Sequence, residues 1–442
     1  MLIIGNGTVL TLGQNNRVLQ NGAVLIQDTK IQEVGSTADL LKKFPKAQYI
    51  DASGKLIMPG MINSHMHLYS TFARGMDSKS KPPKRFKDIL ESLWWKLDKL
   101  LTLEDVYYSA LIPLIDCVKT GTTTIIDHHA SPKAVTGSLQ IMAKAAEEVG
   151  LRAAFCYEVS DRDGEKIAWE GIKENAEFIA ACHANPNSRL AGLFGLHASL
   201  TLSDKTLERC REAVGSLNTG YHIHVAEGIE DLEDSLAKSG LRVVERLNKF
   251  GILGPKTIAA HCVHVNDEEI EILKSTQTQV VHNPESNMGN AVGTAPVLKL
   301  LERGVQVGLG TDGYTCDMFE SGKAANILQK HAHADPSVGW GEVPQMLYNH
   351  NPRIAERLFS GKFGELAPGA WADVIIVDYI PFTPMNETNW SGHLLFGVSG
   401  RAVETTVIDG KVRMINRELL GIDEDRIYAR SRELAQKLWA RL

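Results

Sequence analysis

Apolar and polar positions along this 442-residue chain fall into two textures. Residues 1 to about 54 hold short β-type runs, Leu2 to Leu12, Gly22 to Gln27 and Lys30 to Val34, separated by the turn-forming pairs Asn-Gly and Asp-Thr. The same texture returns late, in Ala372 to Asp378 and Val403 to Ile408, then a turn at Asp409-Gly410 and Val412 to Ile415. Between them apolar strands alternate with helical stretches, the pattern of βα units on a parallel sheet. The strands read as an opening run Leu56 to His67, then Thr122 to Asp127, Arg152 to Tyr157, Leu190 to Leu196, Tyr221 to Val225, Thr257 to Ala260, Gln279 to Val281 and Val305 to Leu309. Eight such units predict an α/β fold, a (β/α)8 TIM-type barrel over 55–365. A small β-sandwich built from both chain ends, 1–54 and 366–420, is expected to wrap it. The last segment, 421–442, spaces Ile427, Leu434 and Leu438 as an amphipathic helix does, with charges between.

Composition narrows the class without naming a chemistry. Hydrophobic residues make up 43% and charged residues 23%, ordinary for a globular protein, and a net charge of -6 leaves no basic footprint for nucleic acid. A small-molecule partner is expected. The six cysteines, at 117, 156, 182, 210, 262 and 316, have no framework spacing and read as reduced thiols. Met1 to Gly7 is apolar but lacks a basic flank, so a first strand is expected there rather than a signal peptide, and no apolar run reaches membrane-spanning length. These readings together predict a cytoplasmic protein with no membrane partner.

Candidate chemistry gathers at the ends of the predicted strands, where a barrel builds its site. His65 and His67 lie one residue apart on an extended chain, so both imidazoles face one way and can share a metal. Strand two ends at Asp127-His128-His129, strand four at His197, strand five at His224 and Glu227, strand six at His261, strand seven at His282 and strand eight at Asp312. The chain has only 15 histidines, which makes this concentration hard to assign to chance. His222, two positions before His224, reads as a buried, hydrogen-bonded residue one layer deeper. The segment Tyr69 to Thr102 is the first βα loop, with a basic run from Lys79 to Arg85 and paired tryptophans Trp94 and Trp95.

The set His65-x-His67, His224-x-x-Glu227, Ala260-His261-Cys262, His282-Asn283-Pro284 and Gly310-Thr311-Asp312-Gly313 resembles the amidohydrolase superfamily, and so do Met58-Pro59-Gly60 and the late Gly364-x-Leu366 to Asp373. The resemblance spans almost the whole chain. Within the superfamily it is similar to the aminohydrolase and deaminase branch acting on purine, pyrimidine and triazine rings, and most of all to the aminohydrolases called SsnA. The resemblance implies one divalent metal ion per chain, bound by His65, His67, His224 and Asp312. It also implies His261 near the activated water, Glu227 as the proton carrier and a homodimer. Imidazoles with one carboxylate suit zinc first and ferrous iron second. Catalytic roles are thus expected for Glu227, His261 and Asp312. His197, His282 and Trp94 are candidates for substrate contact, with support from behind the site as the alternative for the two histidines.

The function so implied is deamination of a heterocyclic amine or cyclic amidine that is purine-, pterin- or pyrimidine-like. Hydrolytic ring opening of a cyclic amide is the alternative. Binuclear relatives of that kind carry a carboxylated lysine on strand four, and Arg189 to His197 contains no lysine. A non-catalytic barrel that serves as a binding module is the other alternative. The segment Tyr348 to Ala355 departs from the family pattern, so the helix expected after the barrel starts in an unfamiliar way.

Overall fold

The computed structural model describes residues 1–76, 81–186, 189–215 and 217–442. Lys79 and Ser80 of the basic run lie outside the described residues. The eight parallel barrel strands are Met61–Met66, Thr122–Asp127, Arg152–Phe155, Leu190–Gly192 continued by Phe194–Ala198, Tyr221–Val225, Ile258–His261, Gln279–His282 and Val307–Leu309. Neighbouring residues on one strand part to opposite faces, as a two-residue period requires. Ile125, Ala153, Ala259 and Val280 pack outward with helix residues such as Leu114, Met142 and Leu273, while Ile126, Ala154, Ile258 and Val281 join a separate cluster with Phe359 and Phe363.

Two seams complete the barrel. Strand four is interrupted at Leu193, whose N–H donates to Phe155 O at 3.0 Å, and Val159 then bridges Leu196. At the other seam Met66 bridges Asp312, and the N–H groups of Thr311 and Asp312 both donate to His65 O at 3.0 Å. Gly310 makes that approach feasible, because a Cβ there would sit 2.7 Å from His65 O and 2.9 Å from His65 Cβ. The helix Asn351–Leu358 locks the same seam. Asn351 Nδ2 donates to Ile62 O at 2.7 Å and Leu309 O at 2.9 Å, while its Oδ1 accepts from Leu309 N–H at 2.8 Å. The unfamiliar Tyr348 to Ala355 segment is therefore helical, running from the π-helical Met346–His350 into the helix that carries this clamp.

Both ends of the chain supply a nine-stranded sheet, antiparallel but for two pairings of Leu2–Leu10 with Gln48–Asp51 and with Leu56–Pro59. Leu56–Pro59 also pairs antiparallel with Val374–Val377, so the run read as one opening strand is two, divided at Gly60. The division has a steric reason, since a Cβ at Gly60 would meet Thr123 Cγ2 at 2.2 Å and only glycine passes that turn. The terminal helix Glu424–Trp439 is capped by Asp423 and buries Ile427, Leu434 and Leu438 in the main core, where it lies against the helix Leu103–Lys119. Its Trp439 Nε1 donates to Phe72 O at 2.7 Å.

Candidate metal centre and cavity

Strand ends bring His65, His67, His224, His261 and Asp312 to one point although up to 247 positions separate them in the chain. One nitrogen each from His65, His67 and His224 lies within 4.8 Å of the others, and so does one ligand atom each from His65, His261 and Asp312. His67 Nε2 is 3.1 Å from Asp312 Oδ1 and 3.2 Å from His224 Nε2. Ala226, His261 and Asp312 all hold left-handed backbone, at φ 47°, 74° and 53°. Such conformations cost a non-glycine residue of order 1–3 kcal/mol, and here they turn the chain sharply as it leaves strands five, six and eight.

The ring orientations are set by backbone of other strands. His67 Nδ1 lies 2.5 Å from His128 O and His224 Nδ1 lies 2.8 Å from His197 O. A carbonyl only accepts, so both Nδ1 atoms carry a proton, and each Nε2 presents a bare lone pair whenever its ring is neutral. Two bare lone pairs 3.2 Å apart repel unless a cation lies between them. His65 Nε2 and His261 Nε2 are likewise buried with no hydrogen-bond partner, while His65 Nδ1 meets His222 Nε2 at 2.8 Å and His261 Nδ1 meets Asn287 Oδ1 at 2.8 Å. This donor set fits one divalent cation. His222 is the deeper partner expected from the strand period.

Charge follows the same geometry. Against the cost of burial, the bond to the Asp312 carboxylate lifts His67 to about 9, and the same pair holds Asp312 far below the usual carboxylate range. Burial first, then neighbouring imidazoles, pushes His65 and His224 well below the usual histidine range, which leaves them neutral as ligands must be. Burial, reinforced by Asp312 and opposed by His261, raises Glu227 to about 7. Its Oε2 stands 3.5 Å from His261 Nε2 and its Oε1 accepts from Asn290 Nδ2 at 3.2 Å. Ser286 Oγ donates to Asp312 Oδ2 at 2.6 Å.

A cavity opens on this cluster, with about 720 Å³ of atom-free space that includes its mouth to solvent. Its polar wall includes His67, His224, Glu227 and Asp312, and its apolar wall is Tyr69, Phe86, Leu90, Trp94 and Trp95 from the first loop. Trp94 and His197 both line it, with His197 Nδ1 tied to Thr201 Oγ1 at 2.8 Å. Trp95 lines it too. His282 does not; it is buried behind the lining, and both its ring nitrogens lack partners. Asn283 and Asn287, rather than His282, reach the ring of His261. Sequence reading missed Glu158. It ends the continuation of strand three, lines the cavity and lies 3.3 Å from His128 Nδ1 and 3.2 Å from Arg162 Nη2. The signal is in the sequence, where Glu158 directly follows Cys156-Tyr157 at the end of strand three.

The sequence profile of the Amidohydrolase family matches residues 56–413, most of the chain and nearly all the elements just described. The chain belongs to the amidohydrolase family. A short match at 22–47 is to an imidazolonepropionase-like composite domain of bacteria. This amidohydrolase is 34% identical to a 5'-deoxyadenosine deaminase of Methanosarcina mazei over 100% of its own length and 99% of the relative's. It is 32% identical to a 5-methylthioadenosine/S-adenosylhomocysteine deaminase of Syntrophomonas wolfei, covering 99% of each chain. An adenosine deaminase from Xanthomonas campestris with bound zinc shares its fold at a TM-score of 0.87 and 23% identity, over 99% of this chain and 98% of that one. Among the described residues no helix is long and apolar enough to cross a membrane.

Proposed function

We propose that this amidohydrolase removes ammonia from an amino-substituted heterocycle with one divalent ion, zinc before ferrous iron, held by His65, His67, His224 and Asp312. The observation that carries the reading is the facing pair His67 Nε2 and His224 Nε2, 3.2 Å apart with both Nδ1 protons committed to backbone carbonyls. The named 5'-deoxyadenosine and 5-methylthioadenosine/S-adenosylhomocysteine deaminases, and the zinc in the Xanthomonas structure, support it.

A divalent ion in this site supplies Lewis acidity that lowers the pKa of a bound water to about 7. Asp312, ionised and steadied by Ser286, is placed to accept a proton from the attacking water. His261 Nε2, 3.5 Å from both Glu227 Oε2 and Asp312 Oδ2, stabilises charge that develops on the oxygen. Glu227, raised to about 7 by burial, takes one proton of the water and gives it to a ring nitrogen, and the proton accepted by Asp312 passes to the amino group, which leaves as ammonia. The first-loop aromatic wall holds the ring and keeps water away from it.

The test is elemental analysis of the purified protein together with ammonia release from a panel of purines, pterins, pyrimidines and triazines. About one zinc or iron per chain and ammonia from one ring class are expected. A new carboxylate without ammonia would replace this reading with ring opening. The homodimer belongs to the same proposal and is read by sedimentation.

A further inference from the structure

Glu158 has no part in the mechanism above, yet it is an acid only 4% exposed on the wall of the same cavity. Its position is rigid. Oε2 lies 3.3 Å from His128 Nδ1, and Oε1 lies 3.2 Å from Arg162 Nη2. Arg162 is itself fixed, bonded to Asp98 and stacked 5.4 Å over Trp95. A carboxylate offers about four lone-pair directions, and these two partners take two of them. One carboxylate oxygen of Glu158 also lies within 4.8 Å of a ring nitrogen of His224, so a ring placed against His224 and Asp312 comes beside Glu158.

We propose that Glu158 selects the substrate, accepting a hydrogen bond from a second, exocyclic amino group on an edge of the heterocycle other than the one that loses ammonia. The substrate class is then a diamino-substituted ring, such as a diamino-substituted purine or pterin, rather than a ring whose one exocyclic amino group is the one that leaves. This rests on the deaminase reading given above. Glu227 and Glu158 divide two tasks between two acids. Against the cost of burial, His197, His128 and Arg162 hold Glu158 down to about 2, so it accepts and does not donate, whereas Glu227 can do both. Among the described residues that line the cavity there is no lysine or arginine, so this wall recognises donors and not anions.

Two ring pairs test it, each differing by one exocyclic amino group. Purine and fluorescent 2-aminopurine report binding without turnover; adenine and 2,6-diaminopurine report ammonia release. A charge-assisted hydrogen bond predicts about ten- to a hundredfold tighter binding of 2-aminopurine than of purine by the wild-type holoenzyme. The same factor is expected in kcat/KM for the second pair. Glu158→Gln should keep one metal per chain and reduce both preferences at least tenfold. Equal binding of purine and 2-aminopurine by the wild type overturns the proposal, and that comparison needs no variant. An unchanged preference in E158Q, an equal loss on both members of a pair, or loss of metal also overturns it, because Glu158 would then only hold His128 and Arg162. If no ring yields ammonia but the binding preference is present and vanishes in E158Q, the deaminase reading fails and this inference stands.

Discussion

Replacing Glu227 with glutamine removes one titrating proton and almost nothing else. The amide carbonyl can still accept from Asn290 Nδ2, as Oε1 does at 3.2 Å, and the amide keeps the size and shape of the carboxylate where Oε2 faces His261 Nε2 at 3.5 Å. Both contacts survive, and no buried charge is left without a partner. Metal content and melting temperature should therefore match the wild type. Turnover should fall by about 10²- to 10⁴-fold, the usual worth of a positioned acid or base, equivalent to about 3–5 kcal/mol of transition-state stabilisation. The pH profile adds a second readout. Burial raises Glu227 to about 7, so the proton-donating form predominates below that pH and is depleted above it. Wild-type kcat/KM should lose activity on an alkaline limb beginning near 7, and E227Q should lack that limb. The assay is ammonia release over pH 5–9 with metal analysis on the same samples. Near-normal turnover in E227Q, or an alkaline limb that survives, would refute the assignment of proton transfer to this residue.

The double variant His65→Ala/His67→Ala should come off purification without its metal, and full retention would sink the ligand assignment. Metal uptake should release a proton, because Asp312 lifts His67 to about 9 in the free site and the ion must displace that proton. Apparent affinity should then rise with pH toward about 9 and level off above it; calorimetric titration in two buffers measures the release, and a flat profile from pH 6 to 9 counts against it. Asn351→Ala breaks three buried hydrogen bonds across the seam of strands one and eight and should cost about 3–5 kcal/mol. A denaturation midpoint unchanged from wild type would show that the seam holds without the clamp.

Period-two and period-3.6 patterns are local, and on local grounds the chain specifies its eight strands, the β-rich ends and the terminal helix. The strand-end rule also makes His65, His67, His224, Glu227, His261 and Asp312 legible, because a barrel puts all such ends on one rim. Local pattern could not divide the run from Leu56 to His67, since apolar texture continues through Gly60 while the hydrogen-bond partners change from one sheet to the other. The tautomers of His67 and His224 were equally out of reach. They depend on the carbonyls of His128 and His197, which belong to neighbouring strands, and hydrogen-bond partners supplied across a barrel leave no mark on the residues that receive them. His282 and Glu158 make the contrast sharpest. One sits at a strand end yet lies behind the cavity lining, while the other follows Tyr157 as an acid among charged loop residues and becomes cavity wall where Tyr157 bridges His129 and Val159 bridges Leu196. The sequence determined which side chains could do chemistry at the rim; the closure of the barrel decided which of them face one another, because that depends on strand stagger and backbone turns set by contacts far apart in the chain.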